Sequence, residues 1–164
     1  MNVKPVSCLL ALSLLALPIF SQQPQKALAS VDRSASPISI LKATIEDSLG
    51  KYGTAELVVS PAVPRKVDDV VLLVSYWRGD APIGGHTARI AADSLYKTGV
   101  AKVSLSSHIH QANRVLFSVI SATSGDRIWK KANQEQGPEL LKAALNSLGG
   151  KLADEDWVPK ADVK

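Results

Sequence analysis

The residues 67–77, VDDVVLLVSYW, constrain this chain more than any others. From Val70 to Val74 every side chain is valine or leucine, and none is polar enough to be turned toward water. A run of this kind is a strand covered on both faces, in the middle of a sheet with a further layer on either side. The rest of the chain must then supply apolar elements for those layers.

The predicted layers are helices. Ile38, Leu41, Ile45 and Leu49 recur at intervals of three and four, which puts them on one helical face. Ser36 is placed as its N-cap and Pro37 in its first turn, with Gly50 or Gly53 as the stop. TAELVVS reads as a short strand, closed by the loop with Pro61 and Pro64. After the loop RGDAPIGGHT, a second helix is predicted to open at Thr87, with Ala88, Ala91, Ala92 and Leu95 on one face. Gly99 lies just past its end, where a left-handed residue is favoured. VAKVSLSS is the next strand, with Val100, Val103 and Leu105 as apolar contacts.

NRVLFSVISATSGDRIWKKAN, residues 113–133, reads as a hairpin. Period-two alternation places Val115, Phe117 and Val119 on one face and Leu116 and Ile120 on the other. Ser124-Gly125-Asp126 tolerates positive φ and closes the turn. Ile128 and Trp129 return along the partner strand, and an indole that buries roughly 150–250 Å² would fix the register. A third helix is predicted from Gly137-Pro138 to Gly149-Gly150, with Leu141, Ala144, Leu145 and Leu148 inward. Residues 151–164 form an extended tail in which Trp157 either folds back or docks on a partner. The expected fold is α/β (α+β): a single mixed sheet of about five strands with about three helices packed on it.

The first residues give an address. Lys4 precedes CLLALSLLALPIF, apolar from Cys8 to Phe20 apart from Ser13. This is the charged start and short apolar run of a secretory leader, and it falls short of the roughly 20 residues of a membrane span. Ala27 and Ala29 form an A-x-A pattern that predicts cleavage after Ala29, with an uncleaved anchor as the alternative. Cys8, the single cysteine, lies at the head of the apolar run, whereas a lipid-modified cysteine would follow it. The expected organisation is a leader over 1–29, a flexible lead over 30–37, a domain over 38–150 and the tail. Localisation is expected to be periplasmic or secreted, with no transmembrane span after processing.

Lys4 and Lys26 would leave with the leader, reducing 19 basic residues to 17 against 15 acidic ones. Between Gly84 and Asn133 the basic residues Arg89, Lys97, Lys102, Arg114, Arg127, Lys130 and Lys131 face only Asp93 and Asp126. A basic middle suits an anionic envelope polymer or headgroup, or simply a solvated surface. Export and the lack of interleaved aromatics argue against nucleic acid.

Few residues suggest chemistry. His108 and His110 alternate in SSHIHQ and, with His86, are weak candidates for a metal, since zinc takes three or four such ligands at about 2 Å. Gly84, Gly85 and His86 at a predicted helix start, with Arg89 one turn on, are candidates for an anion site. They lack the P-loop lysine and the dinucleotide spacing. No G-x-S-x-G elbow is present, and Asp68-Asp69 are adjacent strand positions that face opposite ways. No cofactor is implied. Tyr76, Trp77 and Arg78 end the buried strand, where an aromatic could stack on a ligand.

A helix, VDDVVLLVSYWRGD, then VLFSVISATSGDRIWKKANQ and a short closing helix resemble small bacterial envelope proteins of unassigned function. In these an Asp-rich approach leads into an apolar strand ending in Ser-Tyr. A later strand runs into a Thr-x-Gly-x-x-x-Trp hairpin, here Thr123, Gly125 and Trp129. Such proteins are similar to the TolB amino-terminal and CsgG-like α/β modules, non-catalytic parts of envelope assemblies. Many are lipoproteins, a feature this chain lacks. The resemblance implies an exported, non-enzymatic domain that binds an envelope protein or an anionic envelope component. The expected surfaces are the 78–89 segment, including Arg78 and Arg89, and the strip Arg127, Lys130 and Lys131. The alternatives are a small-anion or metal binder and, third, an unrecognised hydrolase.

Overall fold

The computed structural model describes residues 26–46, 52–131, 140, 143 and 157–162. The described chain is mostly strand, arranged as two sheets packed face to face. One sheet runs β5–β4–β7–β8–β9, with β1 also on β7, and the other runs β2–β3–β6. The strands are β1 Leu28–Val31, β2 Ile38–Glu46, β3 Thr54–Pro61, β4 Asp69–Arg78, β5 Ala81–Ala91, β6 Val100–Ser104, β7 Arg114–Ser124, β8 Arg127–Lys130 and β9 Val158–Pro159. All pairings are antiparallel except that of β1 with β7. Among the described residues the longest helical stretch is the short turn Ser94–Thr98 with the two residues before it. The expected single mixed sheet with three helices is therefore corrected to a two-sheet β-sandwich.

The physical reason for the correction is visible in β2. Ile38 and Ile40 are buried by ordinary alternation, and a bulge between Ile40 and Lys42 then shifts the phase so that Ala43 and Ile45 face inward. The bulge stretches one inward interval to three residues, Ile40 to Ala43, while the outward Leu41 falls three after Ile38 and four before Ile45, so the sequence imitates a helical face. Leu41, needed on that face, is instead 60% exposed. The β-branched isoleucines and Thr44 favour the extended form.

The second expected helix is also a strand for most of its length. Thr87–Ala91 pairs with Asp69–Leu73, so Ile90 and Ala88 face the core while Arg89 and Ala91 face away. Only residues 92–98 are helical, and Gly99 ends them at φ 64° as its position in the sequence suggested. The third helix, 137–150, lies outside the described residues apart from Leu140 and Ala143.

The strands read from the sequence are present. β4 lies between β5 and β7. Val70, Leu72, Val74 and Tyr76 join the core between the sheets, and Val71, Leu73 and Ser75 on the other face are buried as well. Leu140 lies on that second face: a Cβ on Gly85 would sit 3.5 Å from its Cδ1 and 3.6 Å from Leu73 Cδ1. From the smaller sheet, Ile38, Ile40, Ile45, Ala55, Leu57, Val59, Ala101 and Val103 complete the core.

The 113–133 hairpin is β7 and β8, with Gly125 at φ 56° in its turn. Val115, Phe117 and Val119 enter the core together. Val71 then pairs with Ser121 and Leu72 with Val119, leaving Ile120 as a bulge that brings Ala122 onto the core side. The second edge of β7 is divided, with β1 along Arg114–Phe117 and β8 along Ser121–Ser124. Trp129 is buried in the core. The tail returns to the domain: β9 adds to β8, Lys160 N–H donates to Asp126 O at 2.8 Å, and Trp157 packs against the core beneath Arg65.

Candidate functional site

Two corners join the sheets. At the first, the edge of β5 approaches β6 and the 3-10 turn Ser107–His110 that follows it. Tyr76 ends the inward row of β4, fully buried, and its ring stacks on both His86 and His108 at centroid distances of 5.8 and 5.6 Å. Ser106 N–H donates to the Tyr76 hydroxyl at 2.7 Å. His86 Nε2 lies 3.0 Å from the Ser104 carbonyl. A carbonyl only accepts, so Nε2 carries a proton, and in the neutral ring Nδ1 is the acceptor facing the Tyr76 hydroxyl at 3.5 Å. His108 Nδ1 is 3.0 Å from Ser106 Oγ. Its ring covers Gly84 so closely that a Cβ there would sit 2.7 Å from Cδ2. Burial pushes the Tyr76 phenol above its ordinary value of 10.0, although the bond from Ser106 works the other way. The phenol stays neutral and fixed.

This corner gathers His86, His108 and Gly84 from the sequence candidates, together with Tyr76. It does not gather the others. Period two separates the proposed anion group, because Gly84 and His86 pair with Tyr76 and Val74 on the core side, while Gly85 and Arg89 pair with Ser75 and Val71 on the opposite face. Arg89 instead donates to Asp69 Oδ2 at 3.0 Å. Arg78 Nε donates to the Gln111 carbonyl at 3.0 Å. His110 is exposed, so of the SSHIHQ pair it is His108 that stacks on the tyrosine. Among the described residues no group of three or more His, Cys, Asp or Glu side chains could hold a metal ion.

The basic strip separates in the same way. Arg127 is exposed, and Lys130 is buried on the face away from the core, where burial lowers its pKa. Lys131 forms an ion pair with Asp32. That pair belongs to the second corner, where the chain crosses from β1 to β2. Asp32 N–H donates to Phe117 O at 2.9 Å, and Ser34 N–H donates to Asp32 Oδ1 at 2.9 Å. Burial alone would raise the Asp32 carboxyl, but the hydrogen bonds from Lys131 and Ser34 outweigh it and hold the pKa below 3.8. At this corner lies a cleft of about 250 Å³ whose lining includes Asp32, Arg33, Ser34, Ser36, Ser39 and Leu41. Sequence reasoning missed it because Leu41 had been assigned to a buried face.

Asp68 was also missed. Its Oδ2 accepts from Gly125 N–H at 2.7 Å, and its own N–H donates to Thr123 O at 2.8 Å. The acidic approach to β4 thus caps the β7–β8 turn, and the two quoted signatures are halves of one structural contact.

Compared with known proteins, the chain matches no family model, no curated protein and no solved structure. Among the described residues no helix is long and apolar enough to cross a membrane.

Proposed function

We propose that the chain is an exported, non-enzymatic β-sandwich domain of the periplasm or cell surface that binds another envelope component. Its contact surface is the second corner with the adjoining edge of β2. The observation that carries this reading is Leu41, 60% exposed at a bulge on an edge strand, over a cleft that also holds Arg33 and three serines. An exposed leucine beside an arginine and hydroxyl groups offers both an apolar anchor and hydrogen-bond donors to a protein surface. The leader-like Cys8–Phe20 run supports export. The α/β fold implied by the resemblance plays no part in the proposal.

The test is photo-crosslinking in cells from a probe at Leu41, with Glu56 on the outer face of the neighbouring strand as control. One envelope protein crosslinked from Leu41 and not from Glu56, and lost in Arg33→Glu, is the expected result. Equal crosslinking from both positions rejects this surface. A chain retained in the cytoplasm rejects the export reading.

A further inference from the structure

The A-x-A pattern at Ala27 and Ala29 has a second explanation in the fold. Ala27 is 8% exposed, and Ala29 and Val31 pack against the core, while Leu28 between them is 72% exposed. Small residues at alternating positions let a strand paired beside Val115 and Phe117 turn one face to the crowded core. The strand is tied along its length. Leu28 N–H donates to Asn113 O at 2.9 Å, residues 28–31 pair in register with 114–117, and Asp32 N–H donates to Phe117 O at 2.9 Å. Leu28 also walls a cleft with Gly79, Asp80, Asn113 and Arg114. Cleavage after Ala29 would remove Ala27, Leu28 and Ala29 and leave a new charged amino group at Ser30 in mid-ladder. Arg114 and Val115 would lose their β1 partners and keep only those on β4, and the core would lose the cover of Ala27.

We infer that Ala27–Val31 is retained as the first strand of the mature protein and that the leader is cut upstream of Lys26. This rests on the export reading. The Ala27/Ala29 pattern is then a packing signal.

The full chain, tagged at its C-terminus, is expressed in an exporting Gram-negative host, and the protein outside the cytoplasm is analysed by intact mass and N-terminal sequencing. The expected N-terminus is at or before Lys26; a Ser30 terminus overturns the inference. Ala29→Val keeps a strand-forming residue but offers a branched side chain where a peptidase cutting after residue 29 requires a small one. Unchanged processing is expected, and accumulation of precursor overturns the inference. In the exported protein, the Leu28 and Asp32 amides are expected to exchange at least about 100-fold more slowly than exposed loop amides. Fast exchange at both means that the strand is not formed. An exported but uncut chain supports retention of β1 and rejects the cut. A chain that stays in the cytoplasm rejects the export reading, while its Leu28 and Asp32 exchange still tests the strand.

Discussion

The two corners of the sandwich use opposite chemistry. At the β5–β6 corner the join is made by stacked rings and backbone groups: Tyr76 between His86 and His108, Ser106 N–H on the phenol, and His86 on the Ser104 carbonyl. At the β1–β2 corner it is made by the Asp32–Lys131 ion pair, with Ser34 N–H on the carboxylate. The first depends on shape, because its rings fill space that other side chains would leave empty or overfill. The second depends on charge and therefore on pH. The exposed cleft lies beside the charged corner, which places the proposed contact surface next to the join that solution conditions can loosen.

The largest expected effect tests the ring corner. Tyr76→Ala removes a fully buried aromatic and is expected to cost about 3–5 kcal/mol, as large aromatic truncations in cores do. Tyr76→Phe keeps the ring but leaves Ser106 N–H without its acceptor, for about 1–3 kcal/mol. Urea unfolding of both variants separates packing from hydrogen bonding. Equal losses would mean that the hydroxyl, and not the stack, closes this corner.

A smaller effect is expected at Gly84, where a Cβ would meet His108 Cδ2 at 2.7 Å. Gly84→Ala should cost about 1–3 kcal/mol through overpacking. Combining it with His108→Ala should recover part of that loss, since the neighbour that clashes is gone. A strictly additive double variant, measured by the same unfolding curves, would show that His108 swings aside freely and that the stack is incidental.

How far the sequence could be read follows from where the local period was unbroken. Val70–Val74 and Val115–Val119 run without interruption, and both were legible as strands, the first as buried on both faces and the second with Val115, Phe117 and Val119 on one face. The bulge at Leu41 broke the period of β2, and its apolar residues then fell at helical spacing. Ala88, Ala91 and Ala92 carried too little shape to distinguish the core side of β5 from a helix face, although Gly99 still marked the end of the turn that follows. The candidate site was half legible. His86 and His108 could be chosen as residues, but their shared partner was Tyr76, which had been read as the end of a strand and a candidate ligand stack, with no link to either histidine. Lys130 and Lys131 looked like neighbours in a basic strip; alternation sent one into a buried face and the other to Asp32. The ion pair joins residues 99 positions apart, a separation at which local pattern carries no signal.

The smallest effect is expected at the charged corner, and pH gives it a sign. The folded pKa of Asp32 lies below the ordinary 3.8, so its carboxylate contributes stability in full above that value. The contribution disappears as pH falls through the lower, folded value. Asp32→Asn keeps the side-chain shape but loses the charge, and near neutral pH it should cost about 1 kcal/mol, the net worth of a typical hydrogen bond. In acid the two proteins should converge, because protonated aspartic acid and asparagine are equally neutral toward Lys131. Tyr76→Phe should stay displaced from the parent by a constant amount over the same acid range, because the phenol remains protonated throughout. If the Asp32→Asn deficit instead persists unchanged below the folded pKa, the corner is held by shape like its counterpart, and the contrast between the two joins fails.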